Sequence, residues 1–173
     1  LLVSFGADLL ANWLSPVHYT SAYSRMRQDG SHRGRHVQIE PRLSQTGANA
    51  DEWLAARPGT EALLALGMAY SVLDHGLYRG ADREQWISAL ADYSPEKIAE
   101  SCDIDAQKID SLGRSFGRQH GLAIAGGNAL LGSNGLFTAV AVNLLNYLSG
   151  NIGRPGGIQP NSETLIAAAE NHA

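Results

Sequence analysis

The sequence predicts an α/β fold in which a mostly parallel sheet is flanked by helices. Short apolar runs alternate along the chain with longer stretches of helical periodicity. The links between these segments are short, which favours βαβ units with parallel strands and right-handed crossovers. With 173 residues, of which 44% are hydrophobic, the chain is long enough for one domain with a substantial core.

The first part of the chain predicts a strand, a helix and a second strand. Residues 1–5 are an apolar run that suits a buried parallel strand. Residues 17–28 show near-helical spacing of the larger side chains, with Ser15 as the expected N-cap and Pro16 in the first turn. After a polar turn, the β-branched and apolar residues 37–39 predict the second strand.

The middle of the chain is predicted to be mostly helical. A loop of small residues and a short extended piece at residues 51–53 lead to a helix start at which Thr60 is the expected N-cap. The pair Ser94-Pro95 and the acid Asp105 mark two further helix starts. The predicted helical segments cover residues 59–77, 79–100 and 105–117.

The last part predicts a third strand, a long helix and a glycine-rich loop. Residues 122–125 are an apolar run that ends at a glycine pair. Residues 136–148 are apolar nearly throughout, so we expect this helix to be largely buried. Residues 150–157 contain four glycines and form the exit loop.

The ends of the sequence predict a piece of a larger polypeptide. The chain opens within an apolar run without a methionine and ends on a helix-like run. We expect an α/β domain over residues 1–160 and the start of a following segment over residues 161–173. No apolar run is long enough to span a bilayer and no signal peptide is visible, so direct membrane insertion by this segment is not expected.

Composition excludes several classes of site. The net charge is -4 and no dense run of Lys or Arg is present, which argues against a nucleic-acid partner. A single cysteine, Cys102, rules out an internal disulfide and an iron–sulfur cluster held by this chain alone. The histidines lack the spacing of a metal site, so no metal ligand is predicted.

Three loops leave the carboxyl ends of predicted strands, where open α/β sheets bind ligands: residues 6–8, 40–44 and 126–128. Gly6 would let backbone N–H groups approach a phosphate, and the strand-terminal Glu40 suits a ribose hydroxyl. Glu61 could accept two hydrogen bonds from a guanine edge. Each feature also has a structural interpretation, as a packing glycine or a capping charge. The missing G-x-G-x-x-G disfavours an ordinary nicotinamide domain.

Ordered motifs connect these features. In chain order these are Phe5-Gly-Ala-Asp8, Ile39-Glu-Pro-Arg42, Ala50-Asp51, Arg57-Pro-Gly-Thr-Glu61, Tyr93-Ser-Pro-Glu96 and Gly150-Asn-Ile-Gly-Arg-Pro-Gly-Gly157. It thereby resembles molybdopterin oxidoreductases of the dimethyl sulfoxide reductase type, whose patterns include F-G-x-N, I-D-P-R-x-x-x-T-A-x-x-A-D, R-P-G-T-D and G-N-x-G-x-P-G-G. The resemblance covers residues 1 to about 160 and implies the Rossmann-like dinucleotide-binding portion of such an enzyme.

The resemblance implies a binding site for a bis-molybdopterin guanine dinucleotide that carries molybdenum or tungsten. Phosphate contacts would lie near Gly6 and Asp8, a ribose contact at Glu40 and a guanine contact at Glu61. The full set of implied cofactor-binding residues is Gly6, Asp8, Glu40, Arg42, Ser44, Gly59, Glu61, Gly126, Gly127 and Asn128. No catalytic residue is predicted in this chain, and iron–sulfur clusters would lie outside it.

The chain departs from the family pattern at three acids: Asp8 replaces asparagine, and Glu40 and Glu61 replace aspartate. In this detail it is most similar to the molybdopterin-like subunits of alternative complex III and other quinol-oxidising complexes. The resemblance implies iron–sulfur and membrane-anchor partner subunits and a membrane-associated place on the periplasmic face. The alternative interpretation is a cofactor-free homologue that serves as a scaffold in such an electron-transfer complex.

Overall fold

The computed structural model describes residues 1–28, 30 and 33–160. A four-stranded sheet contains β1 (Leu2–Phe5), β2 (His36–Ile39), β3 (Glu52–Leu54) and β4 (Leu122–Ala125) in the order β3-β2-β1-β4. Every adjacent pair is parallel. The predicted α/β class with a mostly parallel sheet is therefore confirmed. The expected segment 161–173 lies outside the described residues.

Eight α-helices flank the sheet within the described part of the chain. They are α1 (Pro16–Gln28), α2 (Gln45–Asn49), α3 (Glu61–Asp74), α4 (Arg83–Leu90), α5 (Pro95–Cys102), α6 (Ala106–Arg118), α7 (Asn128–Leu131) and α8 (Gly135–Leu148), with a 3₁₀ turn at Ala91–Tyr93. The short helix α2 lies where a loop of small residues was expected, because five polar or small residues carry no readable helical period. No helix among the residues described is long and apolar enough to cross a membrane.

The core is centred on α3. Most of this helix is buried, including Met68, Ala69 and Val72, none of which has any exposed surface. It packs against α6, where Gly113 lets the two helices come close: a Cβ at this position would lie 2.7 Å from the Met68 carbonyl oxygen. Because α3 follows β3 directly, its position fixes the chain segment that leads from the sheet edge into the core.

The helix starts follow the predictions in position and partly in chemistry. The Asp105 side chain accepts a hydrogen bond from the Lys108 N–H (3.1 Å), as an N-cap should. Thr60 and Ser94 occupy N-cap positions without a side-chain cap bond. Instead, the Thr60 hydroxyl donates to the Arg57 carbonyl oxygen (2.6 Å), which tightens the turn before α3.

The expectation that residues 136–148 are largely buried is wrong for one face of α8. Leu136 is 80% exposed and Val140 is 57% exposed, whereas Ala141, Val142 and Leu145 are buried. The helix packs on α3 and β4 and also contacts α7, while the side that carries Leu136 and Val140 stays exposed among the described residues. The helix therefore has two apolar faces, and only one of them is part of the core.

Candidate functional site

A cleft lies at the carboxyl ends of β1, β2 and β4, and we call it the strand-end cleft. It is lined by Gly6, Asp8, Asn12, Glu40, Pro41, Arg42, Ser44, Gly127 and Asn128. It thus brings together seven of the ten residues implied as cofactor contacts. Its volume of about 90 Å³ is well below the roughly 300–1,000 Å³ of typical small-molecule pockets. The cleft therefore has room for one phosphate or one ribose, not for a whole dinucleotide.

The strand-end turns of β1 and β4 pack against each other through glycine. Gly6 has a φ of +70°, and a Cβ there would lie 2.9 Å from the Gly126 carbonyl oxygen. Gly127 has a φ of +51°, and its Cβ would lie 2.4 Å from the Gly6 carbonyl oxygen. These glycines are thus required by the contact between the two turns, whatever ligand the cleft holds.

Open backbone donors surround this contact. The N–H groups of Asp8, Gly127 and Asn128 donate to no acceptor among the residues that the structure describes. Arg42, an exposed residue of the loop after β2, lines the same cleft. Backbone N–H groups together with a guanidinium are the donors that proteins use for phosphate oxygens.

Glu40 points into the structure and is only 6% exposed. Its Oε1 accepts from the Ser44 N–H (2.7 Å), and its Oε2 accepts from Nε2 of Gln38 (2.9 Å). A carboxylate has about four lone-pair positions, so roughly two remain for a further donor. Glu40 therefore holds the loop after β2 in place and keeps some capacity for a ligand hydroxyl.

Asp8 binds the start of α2. Its Oδ1 accepts from the backbone N–H (3.3 Å) and the hydroxyl of Thr46, and that hydroxyl also accepts from the Leu10 N–H (3.0 Å). The carboxylate therefore compensates the positive end of a short helix. Sequence analysis missed Thr46, although its signal was present as the threonine of the family pattern.

The guanine-contact candidate Glu61 does not line the strand-end cleft. It is the first residue of α3 and only 4% exposed. In the described part of the chain no side chain or N–H donates to its carboxylate, which distinguishes it from Asp8 and Glu40. Gly59, just before it, is exposed with a φ of +81°, a conformation that glycine adopts without strain.

Asp51 and Trp53 make structural contacts with β2 and with the residue that follows it. Asp51 accepts from the His36 N–H (2.7 Å) and forms an ion pair with Arg27. The hydrogen bond from Arg27 holds the pKa of the Asp51 carboxyl at about 2. Trp53 is partly exposed, and its indole N–H donates to the Glu40 carbonyl oxygen (3.0 Å). The Asp51 contact holds the first residue of β2, and the Trp53 contact holds Glu40 directly after the last one.

His36 and Gln38 lie on β2 and Glu40 directly follows it, so the three alternate along the chain and face one side of the sheet. The first two have no exposed surface. Nδ1 of His36 lies 3.3 Å from the Tyr23 hydroxyl, whereas its Nε2 and the Oε1 of Gln38 have no hydrogen-bond partner among the described residues. Burial lowers the pKa of His36 to about 4, so this imidazole is neutral at physiological pH.

Stability is expected to fall as the pH drops from about 6.5 towards 4. An imidazole in the unfolded chain takes up a proton near pH 6.5, whereas His36 in the folded protein stays neutral down to about pH 4. Because the unfolded state binds the additional proton, acid favours unfolding across this window. Urea unfolding at several pH values should show that His36→Gln loses less stability than the unchanged protein between about pH 6.5 and 4. The same change at the exposed His18 is the control, and an unaltered pH slope in His36→Gln would contradict the assignment.

The chain is similar in sequence to several molybdopterin subunits. It is 31% identical over 161 residues to the menaquinone reductase molybdopterin-binding-like subunit of Nitratidesulfovibrio vulgaris. The alignment covers 91% of this chain and 23% of the relative. The molybdopterin-containing subunit of the Shewanella sp. arsenate respiratory reductase is 26% identical over 197 residues, an alignment that covers 95% of this chain and 23% of that relative. The molybdopterin-containing subunit of the Salmonella typhimurium thiosulfate reductase is 30% identical over 166 residues, covering 91% and 21%.

Acetylene hydratase from Pelobacter acetylenicus has the same fold. The TM-score is 0.69 at 21% identity, over 86% of this chain and 21% of that one. No family model matches the sequence. The chain spans about a fifth to a quarter of the length of these relatives. Its sequence similarity over nearly its whole length identifies it as a homologue of one part of the molybdopterin-containing subunits of the dimethyl sulfoxide reductase family.

Proposed function

We propose that this chain is part of a molybdopterin oxidoreductase large subunit and binds the guanosine and pyrophosphate part of a molybdopterin guanine dinucleotide. The observation that carries the proposal is the group of open N–H donors at Asp8, Gly127 and Asn128, next to Arg42 in the strand-end cleft. A pyrophosphate oxygen could accept from these donors without displacing an existing protein hydrogen bond.

The order of the strands supports an extended ligand along one edge of the sheet. The phosphate donors follow β1 and β4, Glu40 ends β2, and Glu61 opens the helix that follows β3. From β4 to β3 there are three inter-strand steps of about 4.8 Å, or about 14 Å in total. This span suits a nucleotide whose pyrophosphate lies near β1 and β4 and whose base lies near β3.

The side chains present fit the proposed group. The Glu61 carboxylate, buried and without a donor among the described residues, can accept from a guanine edge, and Glu40 can accept from a ribose hydroxyl. When bound, the cofactor would supply redox chemistry at its molybdenum or tungsten centre, while these residues hold and orient its nucleotide end. Iron–sulfur clusters and membrane-anchor subunits would complete an electron-transfer complex outside this segment.

A second candidate function is a cofactor-free scaffold in a quinol-oxidising complex. It is favoured by the internal hydrogen bonds of Asp8 and Glu40, which use carboxylate oxygens to hold α2 and its preceding loop. The strand-end cleft has two acids and one cation, Arg42, among its lining residues. Like charges about 4 Å apart repel by roughly 1 kcal/mol in water and by more when partly buried, so this charge balance opposes a pyrophosphate.

Acid hydrolysis of the purified parent protein, followed by quantification of GMP, tests the two candidates. The protein should be produced in a host that builds the cofactor. We expect about two GMP per polypeptide for the bis(guanine dinucleotide) form, since each half of that cofactor carries one nucleotide. A folded protein that releases no GMP would overturn cofactor binding and leave the scaffold function.

The Glu61→Ala variant tests the guanine contact separately. Loss of the two accepted hydrogen bonds would strand buried donors of the base, so cofactor retention is expected to weaken about tenfold or more. The matched control is Glu96→Ala, because Glu96 is an exposed acid in the first turn of α5, remote from the strand-end cleft. Equal GMP content in both variants after dilution and dialysis would count against the role of Glu61.

A further inference from the structure

A second, larger cleft lies at the opposite end of β4, and we call it the basic cleft. Its volume is about 680 Å³, and it is lined by three arginines, Arg79, Arg118 and Arg154, together with His120. None of its lining residues is an acid. The volume is within the roughly 300–1,000 Å³ of small-molecule sites, and the cleft is widely open to solvent.

The basic cleft is separate from the strand-end cleft. His120 precedes the first residue of β4, whereas Gly126 and Gly127 follow its last residue. Four strand residues at about 3.3 Å each put roughly 13 Å between the two ends. Three separate chain segments supply the arginines: the α3–α4 connection, the end of α6 and the loop after α8.

The three guanidinium groups have no acidic partner among the residues that the structure describes. Within the described ranges, no ion pair or hydrogen bond involves the guanidinium group of Arg79, Arg118 or Arg154; the one side-chain bond at these residues runs from Gln159 to the Arg154 carbonyl oxygen. By contrast, Arg27 and Arg35 of the same chain pair with Asp51 and Glu52. Three exposed arginines therefore line the basic cleft, with no carboxylate among its lining residues.

The negative carboxyl ends of nearby helices compensate only part of the positive charge of the three arginines. The helices α3, α6 and α8 all end at the basic cleft, and each carboxyl end carries roughly half a negative charge. The terminal carbonyls of α3 already accept from Arg83, and the Ser149 carbonyl after α8 lies 3.0 Å from Nδ1 of His120. Asp82, whose carboxylate accepts from the hydroxyl of the lining residue Tyr78 (2.8 Å), adds one negative charge beside the cleft. Three full positive charges against about two and a half negative ones still leave an excess that favours an anion.

We propose that the basic cleft binds a small oxyanion with at least two charged groups, of the diphosphate type. The planar guanidinium group binds phosphate oxygens through two parallel hydrogen bonds, and three such groups from separate segments suit a ligand with more than one phosphate. The site is independent of the cofactor site, since it shares no lining residue with the strand-end cleft.

Site-resolved arginine modification tests the proposal in the purified protein. Phenylglyoxal modification would be followed by peptide mass spectrometry with and without inorganic pyrophosphate. We expect pyrophosphate to slow modification of Arg79, Arg118 and Arg154 about fivefold or more, because a bidentate contact covers the reactive nitrogens. The exposed Arg25 of α1 is the internal control and should be unaffected. Pyrophosphate binding, measured by equilibrium dialysis, should also be lost in the Arg79→Gln, Arg118→Gln, Arg154→Gln triple variant.

Two further readings locate the anion. Protection confined to Arg42 would put pyrophosphate in the strand-end cleft alone, which overturns the basic-cleft proposal and leaves the cofactor proposal standing. Flotation with phosphatidylglycerol vesicles, against phosphatidylcholine vesicles, identifies a lipid headgroup as the source of the same chemistry if the triple variant loses retention. Equal modification of all arginines, together with no retention on vesicles, would overturn the site.

Discussion

Replacement of Asn146 by alanine is expected to destabilise the protein by about 2–5 kcal/mol, because two buried backbone groups lose their partners at once. Asn146 lies on α8 and has no exposed surface. Its side-chain oxygen accepts from the Ala123 N–H (2.8 Å), and its Nδ2 donates to the Ala123 carbonyl oxygen (2.8 Å). Since Ala123 lies on β4, an edge strand of the sheet, the amide takes the place of a neighbouring strand.

Urea unfolding of Asn146→Ala measures this effect, and Asn143→Ala is its matched control. Asn143 precedes Asn146 by one helical turn, is exposed, and donates only to the Ala139 carbonyl of its own helix. We expect the control to change stability by less than about 0.5 kcal/mol, as surface substitutions usually do. Equal unfolding midpoints for the two variants would show that the edge of β4 does not depend on the Asn146 amide.

Local patterns were enough to predict most of the fold. The strands at residues 1–5, 37–39 and 122–125 and the helix after Thr60 depend on apolar runs and caps that each segment contains within itself. The exposed face of α8 could not be predicted, because the sequence shows which residues are apolar but not which of them pack against another element. The role of Asn146 depends on a contact across 23 residues, which no local pattern shows.

The candidate site also contains residues that local sequence patterns predict and residues that only the tertiary structure identifies. The strand-end glycines and Glu40 were predicted because parallel strands bring their carboxyl ends to one edge. The partners that hold the acids, Gln38 and Thr46, depend on tertiary geometry. Gly47 belongs to this second group, since its role becomes visible only when the distance to the Glu40 carboxylate is known.

Gly47 makes room for the carboxylate of Glu40. A Cβ at Gly47 would lie 2.6 Å from Oε1 of Glu40 and 3.0 Å from Cδ1 of Leu43. Both residues differ from the pattern that the chain resembles, in which an aspartate stands at position 40 and an alanine at position 47. One methylene is added to the acid and one methyl is removed from the helix beside it, so the two differences compensate in volume.

The Gly47→Ala variant is therefore expected to lose about 3 kcal/mol of stability, since the new methyl group would push the buried Glu40 carboxylate off its Ser44 and Gln38 donors. The change alone also favours the helical state of α2, so any loss must come from the collision and not from backbone propensity. In Glu40→Asp/Gly47→Ala the shorter acid withdraws from the methyl group, and the double variant should recover half or more of the lost stability.

A double-mutant cycle by urea unfolding measures this coupling as a non-additive term of about 1–2 kcal/mol, the size found for residues in direct contact. Additive effects of the two substitutions would mean that Gly47 and Glu40 adapt independently, and the compensation argument would then fail.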